Sequence, residues 1–243
     1  ISTSHGGVRI YGQANGSTNV TLLYGVAWES GAIDAGSGTV SIAGQTSLSP
    51  SVATNDNYGV GLGVNYGSAN DAVVLNSGGV NFTSYIYNAG TSNVAGVFVK
   101  NSTVSIGSGT ASFSCSSGHN VVFDSGNTFN GTVNSSPGGD TKVIGSISFN
   151  GITTLNGKKV SVSGAISTNN NLTLYANTGD VTVSADITNS GSSKTLTLRS
   201  VANVVISSGA ISTQAGTILL SSDTDNASDG GIKIASGASL ASN

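Results

Sequence analysis

Apolar residues along this chain come in short runs with one polar position between them, and the runs keep their order. Leu172-Thr173-Leu174 is followed by Val181-Thr182-Val183 and Ile187, and Leu196-Thr197-Leu198 by Val204-Val205-Ile206 and Ile211. Equivalent positions in the two sets lie 24, 23 and 24 residues apart, and Leu196 to Ile218 continues the series at 22. Alternation over three residues predicts a strand buried on one side only. Three such strands per period, separated by Gly, Asn, Ser and Asp turns, predict a solenoid whose coils stack on one another. The expected fold is therefore all-β: a parallel β-helix (β-solenoid), three short strands per coil, with coils of about 22–24 residues.

The register follows from the same alternation. Leu172, Leu196 and Ile218 fall in one interior column, and Val181 and Val204 in another. The outward columns read Thr173, Thr197, Leu219 and Thr182, Val205. Like residues of successive coils stack about 4.8 Å apart, and each coil takes its backbone hydrogen bonds from its neighbours. No coil can fold alone.

The N-terminal part carries a longer repeat. Gly25-Val26-Ala27-Trp28, then Ile33 and Val40-Ser41-Ile42, matches Gly96-Val97-Phe98-Val99, then Val104 and Ala111-Ser112-Phe113. Gly59-Val60-Gly61-Leu62 fits between them, with Val74-Leu75 at the third position. The starting points are 34 and 37 residues apart, which predicts longer coils with corner insertions such as 45–57. Insertions on one face of a repeat protein are frequent recognition surfaces. From His119 the coils shorten, and after Leu220 a further insertion, 221–231, precedes Ile232-Lys233-Ile234. No segment keeps a helical period and none reads as a linker. One continuous solenoid over 1–243 is expected, with longer coils in 1–118 and shorter regular coils in 119–243.

Composition narrows the partners. Charged residues make up 8% of the chain and the net charge is −3, which gives no electrostatic reason for nucleic-acid or anionic-membrane binding. A single cysteine, Cys115, excludes an intrachain disulfide framework and a cysteine-only zinc site, and it reads as a small strand residue. No stretch approaches the ~20 apolar residues of a membrane-spanning helix. The chain opens at Ile1 without a signal-peptide pattern and stops in mid-pattern, as expected of a processed product or an excised fragment.

Several stretches resemble the filamentous-haemagglutinin-type bacterial exoproteins, large adhesins exported by two-partner secretion or autotransport. They are Asn-Leu-Thr-Leu at 171–174, Gly-Asp-Val-Thr-Val at 179–183, and Gly-Ala-Ile-Ser-Thr at 164–168 and again at 209–213. Phe-Asn-Gly-Thr-Val at 129–133, Thr-Leu-Asn-Gly at 154–157 and the longer unit over 24–42 join them. The resemblance covers roughly the whole chain and is best from 120 onward. It implies a right-handed parallel β-helix and an extracellular or bacterial cell-surface location. The Asn-Pro-Asn-type motif of the family's secretion domain is missing, so the resemblance is to a passenger segment.

Candidate chemistry is sparse. β-Helices that cleave polysaccharides cluster Asp with Arg, Lys or His on one face, since hydrolysis needs two placed carboxylates and a lyase needs a base with cations. Here Glu29, Asp34, Asp56, Asp71, Asp124, Asp140, Asp180 and Asp186 are scattered, mostly in turns, and His5 and His119 are far apart. No catalytic residue is assigned, and no cofactor apart from a candidate Ca²⁺ site. That site is the acidic stretch with Asp223, Asp225 and Asp229, whose carboxylates are hard oxygen ligands. It departs from the EF-hand loop, which needs a ligand at Ala227 and a glutamate at Ile234. A solvated surface loop is the plain alternative. Tyr58, Tyr66, Tyr85 and Tyr87 lie near the longer insertions and are candidates for stacking on sugars, against ordinary packing beneath those insertions.

The functional expectation is a non-catalytic structural or adhesive segment, contacting host-cell or matrix glycans or proteins. The alternative is a self-assembling filament, sheath or surface-layer subunit whose open ends pair with other copies or adjoining coils. A polysaccharide-binding or polysaccharide-cleaving β-helix ranks behind both. Ice binding needs an unbroken rank of outward threonines, and Leu219 interrupts the one that Thr173 and Thr197 begin.

Overall fold

The computed structural model describes residues 1–3, 6–16, 22–48, 56–64, 72–87, 93–226 and 230–242. Within them lie 25 strands and no helix, so no helix is long and apolar enough to cross a membrane. Every pairing between named strands is parallel and joins one coil to the next, which makes the chain a parallel β-solenoid.

Three faces build each coil. The first stacks Leu22–Trp28, Asp56–Leu62, Asn93–Val99, Asn120–Phe123, Thr141–Val143, Val160–Val162, Val181–Val183, Val204–Ile206 and Ile232–Ile234. The second and third merge into one 16-stranded sheet because two long strands turn the corner between them. Ser102–Ser117 pairs through its first half with Val73–Ser77 and through its second with Gly79–Tyr87. Asn127–Gly138 does the same with Ile147–Phe149 and Thr153–Gly157. Gly131 makes that corner: its φ is 131°, and a Cβ there would sit 2.9 Å from the Ile106 carbonyl oxygen.

The columns expected from the alternation are present. Leu172 pairs with Leu196 and Leu196 with Ile218, Val181 with Val204, and Ile187 with Ile211. Leu172, Leu196, Val181, Val204, Ile187 and Ile211 are fully buried. The long N-terminal spacings are those expected, while the shorter coils vary beyond 22–24. Val60 is 34 residues beyond its partner Val26, and Val97 a further 37. Val162 follows Val143 by only 19, and Ile234 follows Ile206 by 28. The shortest coils join three-residue strands with three-residue corners, such as 144–146 between Thr141–Val143 and Ile147–Phe149.

One placement is corrected. Val74-Leu75 belongs to the second face, paired with Ala32-Ile33. The third position of that coil is Val80 and Phe82, paired with Val40 and Ile42. Both runs alternate alike; the coil simply carries its extra residues earlier, between Leu62 and Val73.

Phenylalanines from all three faces close the bore near its middle. Phe113, Phe123 and Phe129 form a triangle with ring centroids 5.1, 5.7 and 5.8 Å apart. Phe82 stacks on Phe113 and Phe149 on Phe129, extending the cluster in both directions. Each such pair contributes roughly 0.5–1.5 kcal/mol beyond its buried area. Small polar residues also face inward, where Thr168, Asn189 and Thr213 end second-face strands. Asn189 shows their use: its Nδ2 donates to the Asn170 carbonyl at 2.9 Å and its Oδ1 accepts the Gly191 N–H at 3.0 Å.

The N-terminal coils are built differently. There the first- and third-face strands run on past the bore and press together along a glycine seam. A Cβ on Gly12 would lie 1.9 Å from the Gly25 carbonyl oxygen, and one on Gly44 1.7 Å from that of Gly59. Ser84 fills the space that Gly59 leaves open, and Cys115 the space left by Gly96. Gly12, Gly44, Ser84, Cys115 and Pro137 are register partners in successive coils, so the seam widens step by step toward the C-terminus. Across it, Thr46 Oγ1 donates to Asn57 Oδ1 at 2.8 Å, both side chains fully buried. The insertion expected at 45–57 is thus strand at both ends, with Gln45 to Ser47 and Asp56 to Asn57 held in ladders. Residues 49–55 lie outside the described residues.

Candidate functional site

The sugar-stacking tyrosines separate onto different faces. Tyr58 sits on the outside of the first face, half-buried, with its ring stacked on Phe98 at 4.8 Å and meeting Tyr24 edge-on at 5.2 Å. Tyr24 in turn covers Gly61, whose missing side chain makes room for it. That cluster is packing on the outer surface, with one ring face already taken by Phe98. Tyr66 lies outside the described residues.

Tyr85 and Tyr87 stand on the outer side of the third face, exposed at 44% and 51%. Alternation along Gly79–Tyr87 puts them there, since Phe82, Ser84 and Ile86 point inward. A third ring, missed in the sequence, shares this face: Tyr11, exposed at 62%. Its hydroxyl donates to Gln45 Oε1 at 3.0 Å. Gln45 is the register partner of both Gln13 and Tyr85, so two amides lie in line with that ring. The sequence signal that could have found Tyr11 is the match of Val8-Arg9-Ile10 to Val40-Ser41-Ile42, which are register partners.

Of the acidic stretch, Asp223 and Asp225 are described and Asp229 is not. Asp223 adopts a φ of 53°, its N–H donates to the Ala202 carbonyl, and its own carbonyl accepts the Asn226 N–H at 3.0 Å. Gly230 packs against Ala202 and Asp223 from the other end. Residues 223–226 are therefore a tight turn tucked against residues 200–202. Among the described residues no three His, Cys, Asp or Glu side chains come together as a metal site.

Five other acids serve the turns in which they occur. Asp34 Oδ1 accepts the Gly36 N–H at 3.0 Å, and Asp124 Oδ1 accepts that of Ser125 at 2.7 Å while Oδ2 pairs with Lys100 Nζ at 3.5 Å. Asp140, Asp180 and Asp186 each reach the next coil, accepting the N–H of Lys159, Asn203 and Ala210. These bonds tie corner to corner up the solenoid. Cys115 and His119 meet at the end of the glycine seam. The Cys115 thiol donates to the His119 carbonyl at 2.9 Å, and burial pushes its pKa up to about 12, against a smaller opposing effect of the Gly138 backbone. That keeps it protonated and a poor nucleophile. Burial likewise lowers the His119 pKa, with a hydrogen bond to the Ile86 backbone acting the other way, so the ring is neutral at pH 7. His5 lies outside the described residues.

An open groove of about 430 Å³ runs along the second face between the columns of Ser146, Ala165 and Asp186 and of Ser148, Ser167 and Thr188. Short hydroxyls line it beside Ala165 and Asp186, with Ser148 Oγ and Ser167 Oγ bonded to each other at 3.0 Å. No protein-family model, curated protein or solved structure matches the chain.

Proposed function

We propose that this chain is a non-catalytic structural or adhesive solenoid segment of a bacterial surface exoprotein of the filamentous-haemagglutinin type. The observation that carries this reading is how five of the described acids are used. Asp34, Asp124, Asp140, Asp180 and Asp186 are spent on turn and coil-to-coil hydrogen bonds, and the outer columns carry mainly Ser, Thr, Asn and Gln. Such a surface offers contact area and hydrogen bonds rather than a general acid and base. The sequence motifs at 129–133, 164–168 and 179–183 support the family reading. Incubation of the purified chain with polygalacturonate, alginate and neutral glucans should release neither unsaturated nor reducing ends. Reproducible product release would overturn the non-catalytic part.

The alternative reading is end-to-end stacking of coils. In the C-terminal coil Ile232, Ile234 and Leu240 are 48%, 46% and 39% exposed, although their register partners Val204, Ile206 and Ile211 are fully buried. A further coil, from the same polypeptide or another copy, is the surface that such a strand edge accepts.

A further inference from the structure

We propose that the outer side of the three long strands Val8–Gly16, Thr39–Leu48 and Gly79–Tyr87 is a binding face for a neutral oligosaccharide. The proposal rests on the adhesive reading and supplies its ligand class. Tyr11, Tyr85 and Tyr87 are the exposed rings of this face, and Arg9 is the one charged residue among its outward positions. Between the rings lie Gln13 and Gln45, in register with Tyr85. Ala43 stands beside Gln45 in the column that joins Tyr11 to Thr83, so the floor drops between Tyr11 and Tyr85.

The chemistry of these groups selects the ligand. A pyranose has an apolar C–H face, which an aromatic ring covers, and a rim of hydroxyls, which a planar amide can both donate to and accept from. Gln45 is held for this by the Tyr11 hydroxyl, which occupies its oxygen and fixes the amide plane. Tyr11 and Tyr85 are two coils apart and offset by two residues along the strand, a separation of roughly 12 Å. That span matches a chain of several sugars better than a single one. A protein partner would call for a contiguous apolar centre, whereas these rings are parted by amides. An acidic polysaccharide would need more cationic groups than Arg9.

The strands suit the task because their other side is fixed. Ile42, Phe82 and Ser84 are buried beneath them, and the glycine seam clamps the two sheets together, so the rings project from a rigid base. A rigid platform loses little conformational entropy on binding.

The test uses the full chain with cellohexaose, chitohexaose, maltohexaose and laminarihexaose as neutral probes and oligogalacturonate as the anionic one. Saturation-transfer NMR and titration calorimetry report binding. At least one neutral hexasaccharide should bind, with Tyr85→Ala and Tyr11→Ala each weakening it by about tenfold or more. Tyr85→Phe should retain most of the affinity. Tyr175→Ala should change nothing, since that ring lies further along the same sheet with the Arg199 guanidinium 5.2 Å above it. All three positions are on the outer surface, and unchanged melting curves exclude misfolding as the cause. The proposal is overturned if no neutral probe binds, if only oligogalacturonate binds, or if binding ignores Tyr85 and Tyr11. Adhesion of the wild-type chain to cells or matrix is scored separately, so loss of the glycan proposal alone leaves the adhesive reading standing.

Discussion

Gly44→Val is expected to unfold the N-terminal coils while leaving the C-terminal ones standing. At position 44 a Cβ would sit 1.7 Å from the Gly59 carbonyl oxygen and 2.5 Å from its carbonyl carbon. The obstacle is backbone, so no rotamer change relieves it. Overpacking a core costs about 1–3 kcal/mol where side chains can give way, and more where they cannot. Both flanking coils feel the shift, because Gly44 is bonded into ladders with Gly12 on one side and Ser84 on the other. A solenoid is close to one-dimensional, with each coil stabilised by its nearest neighbours, so the damage should stay local. Trp28, the single tryptophan, lies partly buried against the N-terminal core and reports on that half. Its emission should shift to that of exposed indole in the variant, while far-UV circular dichroism keeps most of its strand signal. Wild-type emission and an unchanged melting curve would show that the seam is not the contact described.

The second large effect separates two adjacent residues. Leu196→Asp should lower stability by on the order of 5 kcal/mol, whereas Thr197→Asp should cost less than about 1 kcal/mol. Leu196 is fully buried between Leu172 and Ile218, where a carboxylate finds neither water nor a partner. Thr197 sits on the outer surface between Thr173 and Leu219, and a carboxylate there stays hydrated. Thermal unfolding followed by circular dichroism reads both. Equal losses would mean that the strand does not alternate as described.

These two variants also mark what the chain reveals by pattern alone. The Leu196 column was legible because a strand repeats its facing every second residue and a solenoid repeats its coil. Two periods acting together fix Leu172, Leu196 and Ile218 without any knowledge of the fold. Gly44 was not legible. Its role depends on how closely two sheets approach, and that distance is set by what lies opposite, Gly59, in a strand fifteen residues away. The same holds for the triangle of Phe113, Phe123 and Phe129. Each reads as an inward strand residue, but their meeting depends on the width of the bore. Val74-Leu75 was misplaced for a related reason. Alternation identifies a strand and its facing, while the face it joins depends on where the coil carries its extra residues.

The candidate site was half legible. Tyr85 and Tyr87 stand out as aromatic residues on the polar side of an alternating strand. Tyr58 has the same local pattern, yet it faces outward onto Phe98, a contact between coils 37 residues apart in step. Tyr11 precedes the Gly-Val units that mark the long repeat from Gly25 onward, and its value lies in Gln45, which only the register brings alongside. The turn aspartates were legible as turn residues. That they bond the following coil was not, because it requires the corners to stack.

Adhesion of coated particles tests most directly whether this solenoid is the adhesive surface proposed. Microbeads bearing the wild-type chain are passed over epithelial cells and extracellular matrix, beside albumin-coated beads and beads carrying Leu196→Asp. Wild-type beads should be retained several-fold more than either control, and Tyr85→Ala should reduce their retention on glycan-rich surfaces. Wild-type beads held no better than albumin-coated ones would contradict the adhesive reading.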